Sequence, residues 1–288
     1  MYFHKTEERG STVKRKKTGI VIVFAAAMLL CGCVDQHPEE TSETAKKSDD
    51  KLVATSPAVA EICDRLDLDL IGVCETSREL PERYENVTQV GNAMSPDLEV
   101  IKSLSPDYVL SPSSLQSDLQ PKYEAAQVSS IFLNLKSVEG MYASISDLGE
   151  KFDREKEAQE LVDDYEIFMK EYRAKTQEKE KPKVLILMGL PGSYIVATEN
   201  SYVGNLVELA GGENVYAGTD DEFLTANTED MKTKEPDIIL RASHAMPDQV
   251  QEMFAEEFAN NDIWQHFKAV QDGKVYDLDN SLFTRFCS

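Results

Sequence analysis

One interruption in an otherwise regular rhythm constrains the fold of this chain more than any other feature. From Leu52 onward, short β-type runs at Leu70 to Val73, Tyr108 to Leu110 and Ile131 to Leu135 alternate with helical stretches, the first opening at Ser56-Pro57. Such alternation builds a mostly parallel sheet with helices on its faces. Between Val138 and Lys181 the rhythm stops. Leu161, Val162, Tyr165, Phe168, Met169 and Tyr172 recur there at three and four residues, the spacing of one helix face. A helix over 156–179 would be about 36 Å long. After Pro182 the alternation resumes, from Val184 to Met188 through Leu240 to Val275 to Leu278. The expected fold class is α/β, with two lobes, each a mostly parallel sheet flanked by helices, joined by one long backbone helix.

An internal repeat supports two related lobes. PDLEVIKSLSPDYVL (Pro96 to Leu110) aligns without gaps on ANTEDMKTKEPDIIL (Ala226 to Leu240), 130 residues later. Five positions are identical, pairing Glu99 with Glu229, Lys102 with Lys232, Pro106 with Pro236, Asp107 with Asp237 and Leu110 with Leu240. Pro-Asp before an apolar run is common turn chemistry. The same helix-turn-strand unit on either side of one linker points beyond that to a structural repeat.

The 288 residues carry 30 Lys and Arg against 52 Asp and Glu, a formal charge of −22. That balance disfavours a nucleic-acid partner, whose phosphates need clustered cations. The basic residues concentrate at the start: residues 1–32 hold six against two glutamates, a local +4 that leaves −26 for the remainder. The basic block runs into eleven apolar residues, Ile20 to Leu30, then Leu30-Cys31-Gly32-Cys33. This run is too short for a stable span, which needs about 20 residues, and has the proportions of a signal-peptide h-region. Small Gly32 before Cys33 resembles a bacterial lipobox, so residues 1–32 are expected to be a lipoprotein signal peptide and Cys33 the lipidated first residue of the mature protein. Residues 33–51 are nearly free of apolar side chains and are expected to be a flexible tether. The N-terminal lobe is then 52–150, the linking helix 151–181 and the C-terminal lobe 182–288. Cys63, Cys74 and Cys287 follow no disulfide or metal spacing.

Most catalytic templates are missing: there is no phosphate loop, no G-x-G-x-x-G after a strand, no H-E-x-x-H and no G-x-S-x-G. Two of the four histidines fall in the body expected to fold. His266 shares a helix face with Asp262 and Ile263 and is expected to be a partly exposed helix residue. His244 lies four residues past Leu240, where a strand ends, and ligands of open α/β sheets sit beyond carboxyl strand ends. Met94, in VGNAMSPDLE, lies on a loop ahead of the helix holding Glu99. Packing is the ordinary role of such a Met. A thioether on one lobe and an imidazole on the other could instead ligate a haem iron from opposite faces.

These residues carry a resemblance. The architecture resembles the helical-backbone substrate-binding proteins of bacterial ABC importers for siderophores, cobalamin and haem. VGNAMSPDLEVIKSLSPDYVLS and PDIILRASHAMPDQVQEMFAEEFANNDIWQHFKAVQDGKVYDLD are similar to the haem-binding lipoproteins of Isd-type importers, a likeness running from about Leu52 to Leu282. The resemblance implies haem b as the ligand, with Met94 and His244 as axial iron ligands, and Glu99 and Glu229 as carboxylates docking on arginines of the permease. It implies propionate contacts on the first-lobe rim, for which Ser56 and Ala58 at a helix start, and Ser77 with Arg78, are the candidates. Family members continue past the last strand into a closing helix, whereas this sequence stops at SLFTRFCS, so that helix is expected to be missing.

The expected protein is a monomeric haem receptor, lipid-anchored on the extracytoplasmic face of the cell membrane. Its expected partners are upstream cell-surface haem donors, an ABC permease and the permease's ATPase. One rival is a ferric-siderophore receptor, which would want cleft arginines, Arg78 and Arg241 being the obvious ones. The other is an exported haem-handling enzyme, which would need an open iron position that two axial ligands would close.

Overall fold

The computed structural model describes residues 49–176, 178–243 and 246–278. The expected signal peptide, Cys33 and the part of the expected tether before Asp49 lie outside them, as do His244 and Cys287.

In the first lobe, β1 (Leu52–Ala54), β2 (Leu70–Val73) and β3 (Thr88–Gln89) are followed by a small hairpin, β4 (Gly91–Asn92) with β5 (Ser95–Pro96). Then come β6 (Tyr108–Pro112) and β7 (Ser130–Leu133). Helices α1 (Pro57–Arg65), α2 (Leu98–Leu104) and α3 (Gln116–Ala125) connect them, and α4 (Val138–Lys151) follows. The sheet runs β3-β2-β1-β6-β7 with every pairing parallel. Successive β1 residues serve opposite faces, as a pleated strand must: Leu52 and Ala54 pack with α1 and α4, Val53 with Ile101, Leu119 and Tyr123.

The backbone helix α5 (Glu155–Thr176) is set off from α4 by a break at Asp153, whose φ is 56°. It is shorter than the 156–179 expected, and its apolar face is only partly used. Met169 is buried and Tyr165 stacks on Tyr142 at 4.4 Å, but Phe168 is 62% exposed.

The second lobe holds β8 (Lys183–Leu190), β9 (Ser193–Ala197), β10 (Glu213–Asn214), β11 (Phe223–Thr225), β12 (Ile238–Ser243) and β13 (Val275–Asp277). Its helices are α6 (Tyr202–Leu209), α7 (Thr228–Thr233), α8 (Pro247–Asn260) and α9 (Lys268–Gln271). The order is β11-β9-β8-β12-β13, with β10 beside the start of β8. A turn at Pro191-Gly192 closes an antiparallel hairpin to β9 that the expected rhythm lacked. Leu185, Leu187 and Ile239 face one core, Val184, Ile186 and Ala242 the other. In the first of these cores Trp264 is fully buried, its indole N–H donating to Glu257 Oε1 at 2.9 Å.

The repeat is structural down to its hydrogen bonds. Asp97 caps α2 by accepting the Glu99 and Val100 N–H groups, and Asn227, its equivalent at the 130-residue offset, caps α7 by accepting that of Asp230. Ser105 and Glu235 both adopt left-handed φ, 51° and 50°. Asp107 then accepts the Lys51 N–H at 2.8 Å and Asp237 the Lys183 N–H at 3.0 Å. Each aspartate pins the start of its lobe's central strand, β1 or β8, in parallel register with β6 or β12.

Candidate functional site

The first-lobe rim is built around a stiff hairpin. Gly91 turns the chain at φ +84°, a value L side chains resist. Its carbonyl accepts the Glu75 N–H at 2.7 Å, and Val90 accepts that of Asp97 at 2.7 Å, so both feet of the hairpin are tied to the lobe. Across the tip, Asn92 Oδ1 accepts the Ser95 N–H at 3.0 Å. Met94 sits on this tip and is 74% exposed. A methionine filling a core gap is buried, so the packing role is excluded at this position. The thioether is presented on a supported loop next to the carboxyl ends of β2 and β3.

On the second lobe, β12 ends at Ser243, paired with Gly189 and nearly buried. His244 follows directly in sequence and lies outside the described residues. Met246 resumes the chain 50% exposed, at φ 50°, and caps α8 without a side-chain hydrogen bond. His266 closes the short 3₁₀ turn Asp262–His266 and is exposed, in line with the sequence reading.

The propionate candidates divide. Ser56 and Ala58 begin α1 beside the point where strand order reverses between β1 and β6, the place a ligand crevice is expected. Both are fully buried, and the Ser56 hydroxyl accepts the Val59 N–H. These two side chains are therefore interior groups, and what the helix start has to offer an anion is its backbone N–H groups. Beneath them runs a buried hydroxyl chain that no sequence motif announces. Thr55 Oγ1 lies 2.8 Å from Ser111 Oγ, which lies 3.1 Å from the Tyr123 hydroxyl. Burial raises the Tyr123 pKa, keeping its proton in the chain. Ser77 is exposed and Arg78 half-buried, its backbone N–H donating to Thr76 Oγ1 at 3.1 Å. Burial pushes the neighbouring Cys74 thiol up to about 11 despite the Arg78 charge, and Cys63 up to about 12. Both thiols are inert core groups.

Arg241 is not a cleft arginine. Its guanidinium makes two bonds to Asp277, at 2.8 and 2.6 Å, and lies over Phe254 and Phe258. Glu99 and Glu229 stand in the first turns of α2 and α7 and are exposed; Glu99 approaches Lys102, at 3.7 Å. Among the described residues no cluster of three or more His, Cys, Asp or Glu could hold a bare metal ion, and no helix is long and apolar enough to cross a membrane.

Known proteins resemble this arrangement throughout. Residues 52–282 match the family described as periplasmic binding protein. The high-affinity heme uptake system protein IsdE of Staphylococcus aureus (strain Newman) is 40% identical over 265 residues, 92% of this chain and 90% of that protein. The crystal structure of S. aureus IsdE complexed with heme superposes with a TM-score of 0.78 at 42% identity. An ABC transporter substrate-binding protein from Listeria monocytogenes EGD-e does so with 0.78 at 48%. In both cases the overlap covers 83% of this chain and 93% of the other.

Proposed function

This chain belongs to the periplasmic binding protein family, and on that premise we propose that it is the haem receptor of a bacterial ABC importer, working outside the cytoplasm and anchored through a lipid on Cys33. Iron protoporphyrin IX is held between the lobes, Met94 ligating from the first and His244 from the second. The permease receives it after docking on Glu99 and Glu229. The relatives are binding proteins of transporters, and the cargo leaves unchanged, so no covalent step is needed.

The observation that carries this reading is the exposure of Met94 on a hydrogen-bonded hairpin at the carboxyl edge of its sheet. A soft thioether opposite an imidazole matches haem iron and favours its ferrous state relative to two imidazoles. A ferric siderophore would need free cationic side chains, and Arg241 is committed to Asp277. Ser77 and Arg78 remain the propionate candidates of the first-lobe rim.

The test is an absorbance titration of the purified protein with haem. Saturation at one haem per chain, with a six-coordinate low-spin spectrum lost in His244→Ala, is the expected result. A spectrum that never departs from that of free haem would overturn the reading.

A further inference from the structure

One joint between the lobes is made by Asn205 and the start of α4. On the first-lobe side, the loop after β7 is folded back by Asn134, whose Oδ1 accepts the Lys136 N–H at 3.2 Å. Ser137 then caps α4 by accepting the Gly140 N–H at 3.0 Å. On the second-lobe side, α6 starts at a close backbone approach: a Cβ on Gly204 would lie 1.9 Å from the Thr198 carbonyl oxygen, so only glycine seats this turn. The next residue, Asn205, reaches across. Its Oδ1 accepts the Val138 N–H at 2.9 Å, and its Nδ2 donates to Glu139 Oε2 at 3.3 Å.

The chemistry of the partners fixes the amide orientation, since a backbone N–H only donates and a carboxylate only accepts. Val138 opens α4, and its N–H is one of the four that a helix leaves without an internal partner. Asn205 thus completes the capping of a first-lobe helix from the second lobe. The nearby Lys136–Glu222 ion pair also spans the lobes, at 3.4 Å, but its side chains are 50% and 33% exposed, and such pairs contribute little. Beside the joint lies a cavity of about 520 Å³ lined by polar side chains, including Asn134, Glu199, Asn200 and Glu208. At the far end of α6 the Tyr172 hydroxyl of α5 donates to the Ala210 carbonyl at 3.0 Å, and at its start the directional bonds of Asn205 tie it to α4.

We infer that Asn205 is a positioning residue for haem: by holding the start of α4 against α6, it sets the spacing and angle of the two lobes, and so whether both axial ligands reach one iron. The inference rests on the haem-receptor reading and adds a residue to it that touches no haem.

The experiment compares full-length wild type with Asn205→Leu, Asn205→Asp and the double variant Asn205→Asp/Glu139→Gln, by haem titration and by thermal unfolding without haem. Asn205→Leu removes both bonds while keeping a side chain of four heavy atoms branched at Cγ. It should weaken haem binding about tenfold, the equivalent of roughly 1.4 kcal/mol, and turn part of the six-coordinate spectrum five-coordinate. Asn205→Asp keeps the acceptor for Val138 but sets two carboxylates together, and should show the same defect. The double variant restores a donor and an acceptor, and should recover the wild-type spectrum. Six-coordinate binding unchanged in Asn205→Leu would overturn the inference. So would failure of the double variant to differ from Asn205→Asp, provided both melt as wild type does. If Asn205→Leu does not fold, the pair of aspartate variants decides by the same criterion. Absence of haem binding by wild type would sink the receptor reading itself, and this inference with it.

Discussion

Met94 precedes the first copy of the 15-residue repeat by two residues, whereas His244 follows the second copy by four. At the 130-residue offset Met94 corresponds to Leu224, in the middle of β11, and His244 to Ser114, in the 3₁₀ turn Ser113–Leu115. The proposed ligands are not equivalents. The proposed docking residues Glu99 and Glu229 are, and each stands in a first helical turn behind an Asx cap. On the proposed function the contrast is a division of labour: the lobes share the scaffold proposed for docking and differ at the edges proposed to meet the haem. A symmetric permease surface can read a repeated unit; an iron that wants two different donors requires unlike rims.

The asymmetry of the rims breaks most sharply at the imidazole. His244→Ala should weaken haem binding about a hundredfold, roughly 2.7 kcal/mol, in a spectroscopic titration; an unchanged spectrum would move the site elsewhere. Because only neutral imidazole ligates, wild-type affinity should also fall on acidification, and His244→Ala should lose that dependence. Met94→Ala should have a smaller effect, about tenfold, with the ferrous low-spin bands altered and the reduction potential lowered. Since the side chain is 74% exposed, its loss should change unfolding free energy by less than about 0.5 kcal/mol. A large loss of stability there would mean that Met94 packs after all.

The shared scaffold is probed by its aspartate pins. Asp107→Ala and Asp237→Ala should each lower stability by about 1 kcal/mol in thermal unfolding, the worth of one hydrogen bond to the backbone. The two should act alike; a cost confined to one lobe would break the equivalence. Smallest in solution are Glu99→Ala and Glu229→Ala, which should leave haem affinity within about twofold while reducing cellular haem uptake, because exposed rim charges govern register and encounter. Normal uptake in the double variant would remove the docking assignment.

The scaffold was largely legible in the sequence because its signals are local. Ser56-Pro57 marks α1, the 130-residue repeat marks two copies of one unit, and Pro247 marks α8. What escaped depends on partners distant along the chain. Arg241 reads as a cleft cation until Asp277, 36 residues on, is found in β13 beside it. The buried hydroxyl chain joins Thr55 to Ser111, 56 residues on, and then to Tyr123, a link that no local motif announces. Phe168 has the right spacing for the packed face of α5, yet spacing cannot tell how wide a face its neighbours cover, and the ring stays in solvent.

Trp264 is the only tryptophan in the chain, and it is wholly enclosed in the second lobe with its N–H on Glu257. Excited at the red edge of the band, where the 11 tyrosines scarcely absorb, this protein therefore emits from one fixed point. Porphyrin absorbs in the same band, so a bound haem acts as an energy acceptor, and the degree of quenching becomes an unlabelled optical ruler from the second lobe to the cargo. Stopped-flow fluorescence can then time the arrival of haem from a donor and its departure to the permease, in the unmodified protein.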